Sequence, residues 1–185
     1  MRVTVNAPFS ILFSILAIAL YFLFQADGTI PRMLTLHGDF DFSNWEWYVS
    51  LVGYTMGHAS ITHLIGNISI ILLIGPFIEK RWGTQRVIIM TVLTAILTAL
   101  VHIIFWDHRL IGASGIVFMM IVLSSMVDLR SKEIPLTFIL IVLLYIGQEI
   151  VRSFGEDQVS QFAHILGGIF GVFFGFMYRS SGSSY

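Results

Sequence analysis

A serine hydroxyl beside an imidazole is the minimum for nucleophilic catalysis, because the imidazole takes the proton as the oxygen attacks a carbonyl. This chain of 185 residues has six histidines and no cysteine, so thiolate nucleophiles and Cys-type zinc sites are excluded. One serine stands out by its neighbours, Gly112-Ala113-Ser114-Gly115. His164 follows Ala163 and precedes Gly167 and Gly168. Farther upstream lie His58, His63 and Asn67, the last two at i, i+4 and so on one face of a helix. This set suits acyl transfer. Ser114 is the candidate nucleophile and His164 the candidate base. His63 and Asn67 are candidate donors to an oxyanion, whose charge appears only in the transition state.

The elements that must position these groups are read from charge. Asp, Glu, Lys and Arg make up 11% of the chain, whereas an average soluble domain is about a quarter charged. Residues of the AVILMFWYC set make up 56%, and the mean hydropathy is +0.86. Intrinsic disorder is excluded, because the chain is apolar. A net charge of -1 with no basic cluster excludes a nucleic-acid partner. What remains is an all-α membrane protein, read as one domain over 1–185 with a flexible Ser/Gly-rich tail at 179–185. Charged side chains are absent from 3–26, 47–78, 87–106, 110–127, 134–148 and 158–178. Four of these windows have the length of a spanning helix, about 17–25 residues. The second is too long and holds an approach segment. The fifth is short and is extended past Glu149. Six transmembrane helices are therefore expected, at about 8–26, 58–78, 86–105, 114–128, 134–151 and 160–178. The first is read as a span and not as a signal peptide, since its apolar run is long and no small-residue cleavage site follows. The stretch 27–57 reads as a loop whose Trp45, Trp47 and Tyr48 favour the headgroup level.

With the N-terminus inside, Arg2, Lys80, Arg81, Arg86, Arg130, Lys132 and Arg179 face the cytoplasm, and only Arg32, Arg109 and Arg152 lie outside. That asymmetry places both termini in the cytoplasm. The second, fourth and sixth spans then run inward. His58, His63, Asn67, Ser114 and His164 all fall in the outer half, at comparable depth. Three helices distant in sequence deliver Ser, His and Asn to one layer. No Asp or Glu lies inside any window, so a carboxylate third member is not expected, and His164 is oriented by packing.

Each residue alone has a structural reading beside the chemical one. Ser114 can bond a carbonyl one turn back. His164 can join two helices. His63 and Asn67 can line a water pocket or hold helices together. His58 and His102 read as structural, and His37 and His108 carry no inferred role. A metal at His58, His63 and His164 is disfavoured, since no carboxylate accompanies them. The serine motif is not the hydrolase elbow G-x-S-x-G, because Ile116 replaces the second glycine. Ala163, Gly167, Gly171 and Gly175 place a small residue at every fourth position, so another helix can approach closely. The helix that starts at Ser114 is the expected neighbour. Gly168, one turn beyond His164, is expected to leave space under the imidazole.

Taken together, these residues resemble the rhomboid family of intramembrane serine proteases. Gly112-Ala113-Ser114-Gly115 is similar to its GxSG motif, and Ala163-His164 with Gly167 and Gly168 to its sixth-helix AHxxG-type motif. His58, His63, Leu64 and Asn67 resemble its second-helix pattern, and Glu79, Arg81 and Gly83 the motif closing that helix. The resemblance covers about 54–178. It implies a six-helix rhomboid-like bundle of the bacterial inner membrane and a Ser114–His164 dyad. It also implies an oxyanion hole of His63, Asn67 and the Ser114 amide. The implied partners are the lipid bilayer and transmembrane protein substrates, reached near the second and fifth spans under a loop at about 151–160. No cofactor and no metal are implied, and no oligomeric state is assigned. The alternative is an inactive rhomboid-like protein that binds transmembrane clients without cutting them. The chain departs from many members in three places. The 27–57 loop has no Trp-Arg pair. Phe118 stands where some members stack a tyrosine on the base. Met119 and Met120 replace small residues.

Overall fold

Pro8 opens the first helix, where its missing N–H and fixed φ cost nothing. The amides of the next two residues, Phe9 and Ser10, still need acceptors, and no described side chain before Pro8 supplies one. Glu79 does. Its carboxylate accepts from Phe9 N at 3.2 Å, from Ser10 N at 2.8 Å and from Ser10 Oγ at 2.7 Å. It also accepts from Thr84 Oγ1 at 2.7 Å. All four groups are donors, so an acceptor-only carboxylate fits them. A negative charge is also favourable at a helix N-terminus. Glu79 thereby ties together three helices.

The computed structural model describes residues 4–25, 29–126, 136, 139–140, 143–144 and 158–178. Six helices lie among them: α1 Pro8–Gln25, α2 Trp45–Gly53, α3 Ile61–Trp82, α4 Thr84–Phe105, α5 Ser114–Ser125 and α6 Gln158–Met177. A 3-10 turn spans Arg32–Leu34. The expected span at 134–151 lies outside the described residues except for isolated helical positions, as do most of the 151–160 loop and the tail. The 22-residue helices α3 and α4 are long and apolar enough to cross a membrane, while α1, α5 and α6 contain shorter apolar stretches.

Two boundaries differ from expectation for identifiable reasons. The expected end of α3 at residue 78 avoids placing charge in a helix. The helix instead runs on through Glu79, Lys80 and Arg81. Glu79 is satisfied by α1, and the two cations sit in the last turn, where they complement the helix dipole. Gly83 ends it at φ +82, a conformation that only glycine adopts without strain, and α4 starts at the next residue. The second difference is α2, inside the stretch read as a loop. Asn44 caps it by accepting from Glu46 N at 2.9 Å. Trp47 and Ser50 face inward, whereas Trp45, Tyr48 and Val49 are exposed.

α5 occupies the centre. Gly115–Val117 and Met119–Leu123 are all buried, the pattern of a helix enclosed on all sides. It packs against α3, α4 and α6. Met119 and Met120 are fully buried, and Met119 Sδ accepts from Thr94 Oγ1 at 3.0 Å. Large apolar side chains instead face outward on α1, α3, α4 and α6, among them Phe22, Leu73, Phe77, Ile104 and Phe173. A smaller cluster joins Leu36, Trp47 and Tyr54 to Ala95, Ala99 and Ala163. It seats the 29–57 region on α4 and the start of α6.

Candidate active site

Ser114 is the first residue of α5, and the preceding Ala113 has no side chain with which to cap it. The first intrahelical bond is Val117 N to the Ala113 carbonyl, at 2.9 Å. The amides of Ser114, Gly115 and Ile116 therefore point from a helix N-terminus with no intrahelical acceptor. The turn before them depends on Gly112. Its φ is +119, its N–H donates to the Tyr54 carbonyl at 2.9 Å, and its Cβ position is occupied by the His63 ring. A side chain there would place its Cβ 2.8 Å from His63 Nε2.

His63 is held one turn into α3 because its own N–H caps onto Ser60 Oγ at 3.1 Å. The His58 ring meets it edge-on, with centroids 5.2 Å apart. His58 Nδ1 lies 3.2 Å from the Met56 carbonyl, which only accepts, so the ring proton resides on Nδ1. Asn67 is buried, and its Nδ2 has no hydrogen-bond partner among the described residues. An unspent amide donor in a buried place costs stability unless something charged or polar arrives to use it.

His164 comes from α6. Its ring stacks on Phe118 with centroids 4.3 Å apart and planes 5° from parallel. Phe118 lies four residues after Ser114, on the same face of α5. The two backbones are pressed together at this level. A Cβ on Gly115 would lie 3.2 Å from the Ala163 carbonyl oxygen, and one on Gly167 would lie 3.1 Å from Gly115 Cα. The small-residue stripe meets α5 along its length, since a Cβ on Gly171 would approach the Met119 carbonyl to 2.7 Å and Gly175 faces Met126. At Gly168 a Cβ would meet only Val122, at 3.9 Å, which is ordinary contact. Of the two adjacent glycines it is Gly167 that has no room for a side chain, because it faces backbone.

Of the other histidines, His102 is buried and its Nε2–H donates to the His108 carbonyl at 2.8 Å. It serves the α4–α5 turn. His37 and His108 lie in the connections that flank α2 and α5. Among the described residues, no group of three or more His, Asp or Glu is placed to hold a metal ion.

The Rhomboid domain family model matches residues 44–181. The chain belongs to the rhomboid family. This rhomboid is 34% identical over 137 residues to Rhomboid-related protein 1 of Caenorhabditis elegans, covering 67% of this chain and 38% of that protein. It is 26% identical over 115 residues to Rhomboid protease GlpG of Yersinia pestis (strain Pestoides F), covering 60% of this chain and 40% of the relative. The same figures hold for Rhomboid protease GlpG of Yersinia pseudotuberculosis serotype O:3 (strain YPIII). The chain spans about two fifths of the length of these relatives. Rhomboids are membrane-embedded, which accounts for the apolar outer faces of this rhomboid. The family match takes in α2 to α6 and every residue of the candidate site, whereas α1 precedes it.

Proposed function

We propose that this rhomboid is an intramembrane serine protease that cuts transmembrane protein substrates through a Ser114–His164 dyad. The observation that carries the reading is the parallel stack of the His164 ring on Phe118, one turn from Ser114. It holds a base against the face of α5 that bears the serine. In the proposed reaction Ser114 Oγ attacks the scissile carbonyl and its proton passes to His164. The tetrahedral oxyanion receives the Ser114 and Gly115 amides, the Asn67 amide and the His63 ring. Collapse releases the amine with the proton from His164. Water then hydrolyses the acyl-enzyme by the same steps in reverse order. Phe118 supports the imidazole, Gly112 lets His63 approach the turn, and His58 braces His63.

The proposal extends to six transmembrane helices, with the fifth at 134–151, and to an inner membrane of bacterial type. Both termini are assigned to the cytoplasm from the distribution of Lys and Arg. The test is cleavage of a reporter transmembrane segment in proteoliposomes by the purified protein and by Ser114→Ala. Cleavage by the parent alone is expected. Binding of the segment without cleavage by either protein would replace this reading with that of an inactive client-binding rhomboid.

A further inference from the structure

The turn that leads into Ser114 also grips the helix that carries His164. Residues 106–113 join α4 to α5 without regular structure. Backbone bonds pin this stretch. Trp106 N–H donates to the His102 carbonyl at 2.9 Å, and Leu36 and Leu110 exchange bonds of 3.0 and 2.9 Å. The His102 ring adds its bond to His108 and lies 17° from parallel with the Trp106 indole, centroids 5.9 Å apart. Trp106 is therefore held at its backbone and on one face of its ring. Its indole also meets Phe162 on α6, with centroids 4.3 Å apart at 41°.

Phe162 and His164 are two residues apart, which puts them about 200° apart around a helix. Phe118 thus touches α6 on the His164 side, and Trp106 touches it on nearly the opposite side. Both anchors belong to the chain that flanks Ser114. The seam between α5 and α6 is made of Gly115, Ala163 and Gly167, which sets a short distance between the helices. A seam of such small residues offers little to resist rotation of α6 about its own axis. Rotation is the motion that would swing His164 away from Ser114. The Trp106–Phe162 contact opposes it.

We infer that Trp106 and Phe162 are positioning residues, whose ring contact sets the rotation of α6 and so aims the His164 imidazole at Ser114. This rests on the Ser114–His164 reading. Misplacing a catalytic group by about 1 Å costs on the order of a hundred-fold in rate. In proteoliposomes, Phe162→Ala is expected to lower kcat and the rate of fluorophosphonate labelling between about ten- and a hundred-fold, with KM within about two-fold. Phe162→Tyr and Trp106→Phe keep a ring in place and are expected to stay near the parent kcat. Ile169→Ala, an exposed truncation on the same helix, serves as the control. Should Phe162→Ala fail to fold, Phe162→Leu keeps most of the volume without the ring and carries the same comparison. A parent kcat per folded molecule without the ring would overturn the role, as would an equal loss in the ring-retaining variants. If Ser114→Ala itself still cleaves, the protease reading falls; if it is inactive while Phe162→Ala keeps the parent kcat, only the positioning role does.

Discussion

An unassisted serine hydroxyl is a poor nucleophile, so the reactivity of Ser114 is the direct measure of whether His164 acts on it. Fluorophosphonate labelling of Ser114 is expected in the parent and absent in folded His164→Ala, although the serine remains. Intact mass of the two proteins reads this, and equal labelling removes His164 from the mechanism. The proposed oxyanion donors predict a graded effect instead. Loss of one such donor costs about 10²–10³ in kcat. His63→Ala and Asn67→Ala should each reduce kcat by that order with little change in KM. Asn67 is the sharper test, because its buried Nδ2 has no other partner among the described residues. Parent-like turnover in both variants would return them to a packing role.

At the scale of the elements, the close pairing of α5 and α6 rests on positions where a side chain has no room. Gly171 faces the Met119 carbonyl and the Val122 side chain, whose Cβ would lie 2.8 Å from an added Cβ. Backbone cannot yield as a flexible side chain does. Overpacking costs about 1–3 kcal/mol, so Gly171→Val should melt earlier in detergent than the parent. An unchanged Tm would mean that the helices separate there without penalty. The interhelical contact itself was legible in the sequence, because a four-residue spacing keeps small residues on one face. The distinction between Gly167 and Gly168 was not legible. Both are glycine one turn from His164, and only the crossing of α5 shows which of them meets backbone.

At the scale of the whole molecule, Glu79 links the start of α1, the end of α3 and the start of α4. Glu79→Ala would leave the Phe9 and Ser10 amides without acceptors. Each buried unpaired group costs about 1–3 kcal/mol. Thermal melting should rank the parent above Glu79→Gln, which keeps one acceptor oxygen, and that above Glu79→Ala. If Glu79→Ala melts with the parent, the three helices are joined by packing alone. Topology is open to a simple test because the chain has no cysteine. Single-cysteine variants Ser60→Cys and Arg86→Cys, in sealed right-side-out vesicles, should differ. An impermeant maleimide is expected to reach residue 60 and not residue 86. Labelling of residue 86 alone would invert the proposed orientation.

Composition and charge spacing alone settle that the chain is apolar and helical, and they locate α1, α4, α5 and α6 to within a few residues. They do so because a charge in lipid is costly wherever it falls, so its absence marks a span. Residue type and spacing also single out Ser114, His164, His63 and Asn67, since each polar group in an apolar run needs a reason. Tertiary structure decides the rest. Glu79 reads as a helix end in the sequence, yet its role is to cap a helix that starts 71 residues earlier. Nothing in the sequence pairs Trp106 with Phe162 until α6 is laid beside the α4–α5 turn. Periodicity specifies which face of a helix is apolar, but not the angle or depth at which two helices cross. Contacts between residues far apart in sequence depend on that angle and depth, and they exist only once the bundle has packed.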